Sequence, residues 1–109
     1  RDSYRHRVAG ASEVALVGGR RYAIMREQAE PGLAEVLARL TPVDLVLVEG
    51  YKREAHDKIE VRAAGLPPLA AGDPNIVAIA GDAQPAEVNL PWFKRDDIAG
   101  IADFIAARL

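Results

Sequence analysis

Residues Leu45-Val46-Leu47-Val48 form an unbroken apolar run, bounded by Asp44 and by Glu49-Gly50-Tyr51-Lys52. A run of this length with β-branched members reads as a strand covered on both faces. Strands of that kind belong to parallel sheets flanked by helices. In open α/β sheets, ligands collect beyond the carboxyl ends of the strands. Glu49 stands where this strand should leave its sheet, so its carboxylate is placed to hold hydrated Mg²⁺ beside phosphates. The alternative is a solvated glutamate ahead of a turn.

The rest of the chain supports an α/β reading as one domain, residues 1–109. Asp2 or Ser3 can cap a short helix reaching about Ala9, with Gly10 closing it in the left-handed conformation. Val14–Val17 and Tyr22–Met25 read as strands around the turn signal Gly18-Gly19-Arg20-Arg21, an antiparallel hairpin. Pro31 fits a first helical position, and Leu33, Val36, Leu37 and Leu40 follow as one apolar stripe until Thr41-Pro42. Residues 53–58 are polar loop. Lys58–Arg62 alternates as a short edge strand, and 65–75, with three prolines, is loop. Ile76–Ala80 is a second buried strand ending in Gly81-Asp82. Asp96 or Asp97 caps a last helix with the stripe Ile98, Ile101, Ala102 and Ile105. Trp92 and Phe93 are expected beneath it rather than against a nucleobase.

Composition narrows the function. A net charge of −2 argues against a nucleic-acid partner, and the apolar runs are far too short to span a membrane. No cysteine is present, which removes disulfides, thiolate metal sites and cysteine nucleophiles, and is compatible with a cytoplasmic home. His6 and His56 lack the ligand spacing of a structural zinc site. No serine occupies a strand–turn–helix elbow, so a hydrolase built on Asp2, His6 and Glu49 has little to support it.

Three segments together carry a resemblance. Asp2-Ser3-Tyr4-Arg5-His6-Arg7 leading to Ala9-Gly10-Ala11, then residues 44–52, then Lys58-Ile59-Glu60-Val61, are similar to the molybdopterin-guanine dinucleotide biosynthesis adaptors, the MobB family. Val77–Asp82 and the closing helix extend the likeness along the whole chain. The resemblance implies a P-loop NTPase-like, mostly parallel sheet flanked by helices, with an antiparallel hairpin. It also implies GTP and Mg²⁺ as ligands, a guanylyltransferase (MobA-like) partner, possible contact with molybdopterin, and a homodimer.

Residue by residue, it implies Glu49 as the principal functional carboxylate and Mg²⁺ ligand, with Asp2 as a second metal ligand. Beside these, Gly50, Arg5, His6, Arg7 and Asp82 are candidate nucleotide contacts, and Lys52 a nucleotide or pterin contact, from their own chemistry and placement. From its chemistry, the Asp82 carboxylate could accept the paired N1–H and amine donors of guanine. Each has a plainer alternative: a helix cap for Asp2, a solvated helix face for residues 5–7, an exposed lysine, and turn residues at 50 and 82.

The departure from the family is the phosphate loop. No G-x-x-x-x-G-K-[ST] motif occurs in this sequence, and Gly18-Gly19-Arg20-Arg21 lacks its spacing, lysine and following helix. A strand–loop–helix–strand unit is expected before Arg1, its phosphate-loop strand lying between the strands that end at Glu49 and Ala80, or else another chain fills that gap. The chain alone is therefore expected to be inactive, the complete protein at best a slow GTPase. The competing expectation is a non-catalytic module that contacts a cofactor-maturation enzyme or a pterin.

Overall fold

The computed structural model describes residues 2–109, which gather into two compact units, one running through Thr41 and the other Pro42–Leu109. Its architecture is mixed α/β, with an antiparallel strand pair in the first unit and a three-stranded parallel sheet in the second.

In the first unit, α1 (Asp2–Val8) ends where Gly10 takes φ +113°. The Ala11 N–H then donates to the His6 carbonyl at 3.1 Å and the Gly10 N–H to that of Arg7 at 3.0 Å, the paired bonds of a Schellman cap. Asp2 and Ser3 both lie inside this helix, so neither is its N-cap. β1 (Glu13–Val17) and β2 (Tyr22–Arg26) pair with Val14 opposite Met25 and Leu16 opposite Ala23. The Gly18 N–H closes the turn on the Arg21 carbonyl at 2.8 Å. α2 (Leu33–Ala38) starts two residues later than Pro31 suggested, because Gly32 stays extended as its N-cap and accepts the Val36 N–H.

Alternation gives the hairpin two apolar faces. Val14 and Met25 line a shallow hollow against Tyr4 and Arg7 of α1. The opposite face carries Val17, Tyr22 and Ile24, which are 82%, 73% and 61% exposed.

In the second unit, β3 (Lys58–Arg62), β4 (Ile76–Gly81) and β5 (Trp92–Phe93) run parallel in the order β3-β4-β5. β4 is central and apolar on both faces: Ile76, Ala78, Ile79 and Ala80 are all buried. Small residues at 78, 80 and 81 let neighbouring backbone approach closely. A Cβ on Gly81 would meet the Arg62 carbonyl oxygen at 3.0 Å and its Cγ at 3.1 Å. α3 (Ile98–Ala106) is capped by Asp97, whose carboxylate accepts the Gly100 N–H at 2.9 Å. Its packed side is Ile101, Phe104 and Ile105, whereas Ile98 is 79% exposed and Ala102 is also exposed. The stripe is rotated because Phe104 meets the Phe93 ring edge-on at 5.5 Å.

The strand expected at residues 44–48 does not form. The segment joins neither sheet, and Leu47 is 77% exposed. A strand draws its backbone bonds from neighbours, and among the described residues none is laddered to this one.

At the start of the parallel sheet, the Lys58 ammonium bonds Asp73 at 2.9 Å while the Asn75 N–H donates to the same carboxylate, also at 2.9 Å. The Lys58 contact first, then the Asn75 N–H, hold the Asp73 carboxyl below the ordinary carboxylate range. A depressed folded-state value means stability that is present above the unfolded value and lost as pH falls through the folded one. Urea midpoints followed from about pH 6 down to about pH 2 should therefore fall more steeply for the native chain than for Asp73→Asn, with the difference confined to below about pH 4. Parallel curves would show that the pair does not stabilise the fold.

Candidate functional site

The carboxyl ends of β4 and β5 open on a cleft lined by Gly81, Asp82, Lys94, Arg95 and Asp96, with the end of β3 paired alongside at Arg62. Asp82 directly follows β4, and Lys94 and Arg95 directly follow β5, so the parallel register brings the acid and the two cations to one edge. Arg95 is held at two points: its Nη2 bonds Asp82 Oδ2 at 3.3 Å and the Arg62 carbonyl at 3.2 Å. Both members of the Asp82–Arg95 pair are more than half exposed, at 63% and 52%. The pair is thus open to a ligand and cheap to rearrange.

Two residues before the end of β3, Glu60 is the one charged side chain of this unit found buried among the described residues, at 7% exposure. Its oxygens accept the N–H groups of Leu69 (2.9 Å) and Ala70 (3.0 Å) at the 3₁₀ turn Leu69–Ala71, and Arg62 Nε lies 3.8 Å away. Val61, by contrast, is 69% exposed. The alternation of β3 therefore presents its acid inward, because that carboxylate satisfies two backbone donors. Arg62 donates in turn to the Leu66 carbonyl, which ties the 65–71 loop to the strand end.

Glu49 is exposed and enters a turn in which Gly50 (φ +83°) and Tyr51 (φ +50°) are both left-handed. The Glu54 N–H closes that turn on the Tyr51 carbonyl at 3.1 Å. Left-handed backbone is natural for Gly50 but costs Tyr51 about 1 kcal/mol, so this bend is held by its surroundings. Lys52 follows on the exposed side of the same loop. The loop's far end is anchored by Arg108, which bonds Asp57 at 2.7 Å and covers the Phe104 ring.

Asp2, Arg5, His6 and Arg7 all lie on α1, in the other unit. Arg7 is committed locally, to Glu27 at 3.1 Å and to the face of Tyr4 at 5.2 Å. Asp2, Arg5 and His6 are exposed. Glu49, Gly50 and Lys52 thus share one loop, residues 2–7 share one helix, and Asp82 stands at the strand-end cleft. Sequence reasoning missed Lys94 and Arg95, because Trp92 and Phe93 ahead of them were expected to pack beneath the last helix and not to form a strand. The short strand Lys58–Arg62 suggested cross-strand pairing for Lys58 and Glu60, whereas Lys58 bonds Asp73 and Glu60 caps the turn at Leu69–Ala71. Among the described residues no three His, Asp or Glu side chains converge as a metal cage, and no helix is long and apolar enough to cross a membrane.

Comparison with known proteins gives a consistent result. Residues 1–82 match the family described as molybdopterin guanine dinucleotide synthesis protein B. A molybdopterin-guanine dinucleotide biosynthesis adapter protein of Haemophilus influenzae is 38% identical over 109 residues, covering 96% of this chain and 61% of that protein. The Escherichia coli adapter protein is 32% identical over 113 residues, with 96% and 64% covered. A crystal structure of molybdopterin-guanine biosynthesis protein B superposes with a TM-score of 0.80 at 27% identity, over 99% of this chain and 75% of the other. The chain spans less than two thirds of the length of either curated relative.

Proposed function

Because this chain belongs to the molybdopterin guanine dinucleotide synthesis protein B family, we propose that it serves molybdenum cofactor biosynthesis as a GTP-binding adaptor. Its partner would be the guanylyltransferase, MobA-like, that joins GMP to molybdopterin. The observation that carries this reading is the family match across the segments containing Glu49 and Asp82, joined to a parallel sheet whose strand ends open at Asp82.

The residues fit magnesium brought in by a nucleotide and not a resident metal. One exposed carboxylate at a left-handed turn suits Mg²⁺, which keeps water and phosphate oxygens as its other ligands. Bound there, the ion neutralises phosphate charge. Glu49 orients that charge, Gly50 lets the backbone bend close to it, and Lys52 adds a compensating cation. Asp82 accepts from the guanine edge. Asp2 as a second carboxylate rests on the family likeness, and Arg5, His6 and Arg7 as phosphate contacts rest on their charge.

The chain has no glycine-rich phosphate loop, and phosphoryl transfer depends on such a loop for positioning and charge neutralisation. Calorimetric titration of Mg·GTP into the 109-residue chain should give negligible heat. A form that supplies a phosphate loop upstream of Arg1 should bind. Tight binding by the shorter form would overturn this reading.

The apolar outer face of the hairpin, Val17, Tyr22 and Ile24, favours a second reading as a protein-interaction module, with self-association into a homodimer as one use of that face. Capture of the guanylyltransferase by this chain with no nucleotide present would favour the second reading over the first.

A further inference from the structure

We infer that Arg95 reads the 6-carbonyl of a guanine base whose N1–H and 2-amino groups are accepted by Asp82. This inference rests on the guanine-nucleotide reading above and assigns its specificity to a residue outside the family match, which ends at residue 82.

Guanine presents an acceptor, O6, beside two donors, N1–H and the 2-amino group. The complementary protein edge is a carboxylate with a cation against one of its oxygens, and Asp82 with Arg95 at 3.3 Å is that arrangement. Arg95 uses only Nη2 for Asp82 and for the Arg62 carbonyl. Its Nη1 and Nε make no hydrogen bond among the described residues, and these are the free donors for O6. The second anchor, on Arg62 backbone, keeps the guanidinium at the strand ends beside Asp82, from where it can turn toward a base at little cost. Adenine reverses both signs: its N1 lone pair would face the carboxylate and its amino group the guanidinium. Uracil offers a single donor between two carbonyls. Hypoxanthine keeps O6 and N1–H but lacks the second donor to Asp82.

The test is titration of the ¹⁵N-labelled 109-residue chain with GMP, IMP and AMP to millimolar concentration, without magnesium, followed by amide chemical shifts, which register base contacts too weak to give calorimetric heat. The three carry the same phosphate, so differences report the base. GMP should shift the amides of Gly81, Asp82 and Lys94–Asp96, with IMP about tenfold weaker and AMP weaker still, as loss of one charge-assisted bond requires. Arg95→Gln should weaken GMP about tenfold and narrow the gap to AMP, whereas Arg95→Lys, which retains a cationic donor, should recover much of both. Arg95 is half exposed, and an otherwise unchanged amide spectrum establishes that each variant is folded.

Equal responses to the three nucleotides would overturn the inference, as would GMP shifts elsewhere that Arg95→Gln leaves untouched. In that last case guanine-nucleotide binding itself would survive. A chain that responds to none of the three overturns the inference, while Mg·GTP binding by the longer form decides the adaptor reading separately.

Discussion

Glu60→Ala should destabilise the second unit by about 3 kcal/mol, because it strips two backbone donors of their acceptor and leaves Arg62 without its buried counter-charge. The native carboxylate accepts from Leu69 and Ala70 and is almost wholly buried, so water cannot take its place without opening the 65–71 loop. Glu60→Gln keeps one acceptor oxygen but turns an amino group toward the second N–H, so about half of the loss should return. Thermal unfolding followed by circular dichroism would show the effect as a drop of roughly 4–8 °C per kcal/mol for a chain of this size. Neighbouring Val61→Ala, at a site 69% exposed, should move it by less than about 0.5 kcal/mol. Equal small effects at 60 and 61 would mean that the carboxylate is not what holds the loop.

The second large effect is expected at Ile79→Ala. Ile79 is 1% exposed on the central strand, aligned with Trp92 of β5 and with Glu60 of β3. Truncation there removes buried methyl and methylene groups and leaves a cavity that flanking strands cannot close without breaking their ladders, at about 2–5 kcal/mol. Against a total stability of about 5–15 kcal/mol, that is enough to unfold a marginal domain. Chemical denaturation should show a lowered midpoint with an unchanged slope. Loss below about 1 kcal/mol would indicate that the sheet is not the core of its unit.

These two positions also show what the sequence made legible. β4 was readable because a central parallel strand must be apolar on both faces, and 76–80 is. The hairpin was readable from Gly18-Gly19 between two alternating runs, and Gly10 from the helix it closes. Residues 44–48 have the same apolar signature as β4 and yet form no ladder, since composition specifies a wish to be buried but not the neighbour that buries it. The burial of Glu60 was not legible, for the opposite reason. Its inward orientation is set by the two N–H groups of a turn nine and ten residues away, and local alternation carries no trace of them.

The candidate site was legible in part. Asp82 was readable as the residue that follows a buried strand, whereas Glu49 and Gly50 follow an apolar run that forms no strand. The partners of Asp82 were not readable, because Arg95 reaches it only through the parallel pairing of β4 with β5. Arg7 looked like one of three equivalent cations on α1, but its contacts with Glu27 and Tyr4 distinguish it from Arg5 and His6. Accordingly, a ligand role falls more naturally to Arg5 and His6 than to Arg7.

The measurement closest to the central claim is Mg²⁺-linked GTP affinity in a form of this protein that includes a phosphate loop, compared between Glu49 and Glu49→Gln. With the carboxylate, adding magnesium should tighten GTP binding; with the amide, that gain should shrink by at least about tenfold while binding without magnesium stays the same. A magnesium-dependent gain that is equally large with glutamine at position 49 would contradict the account.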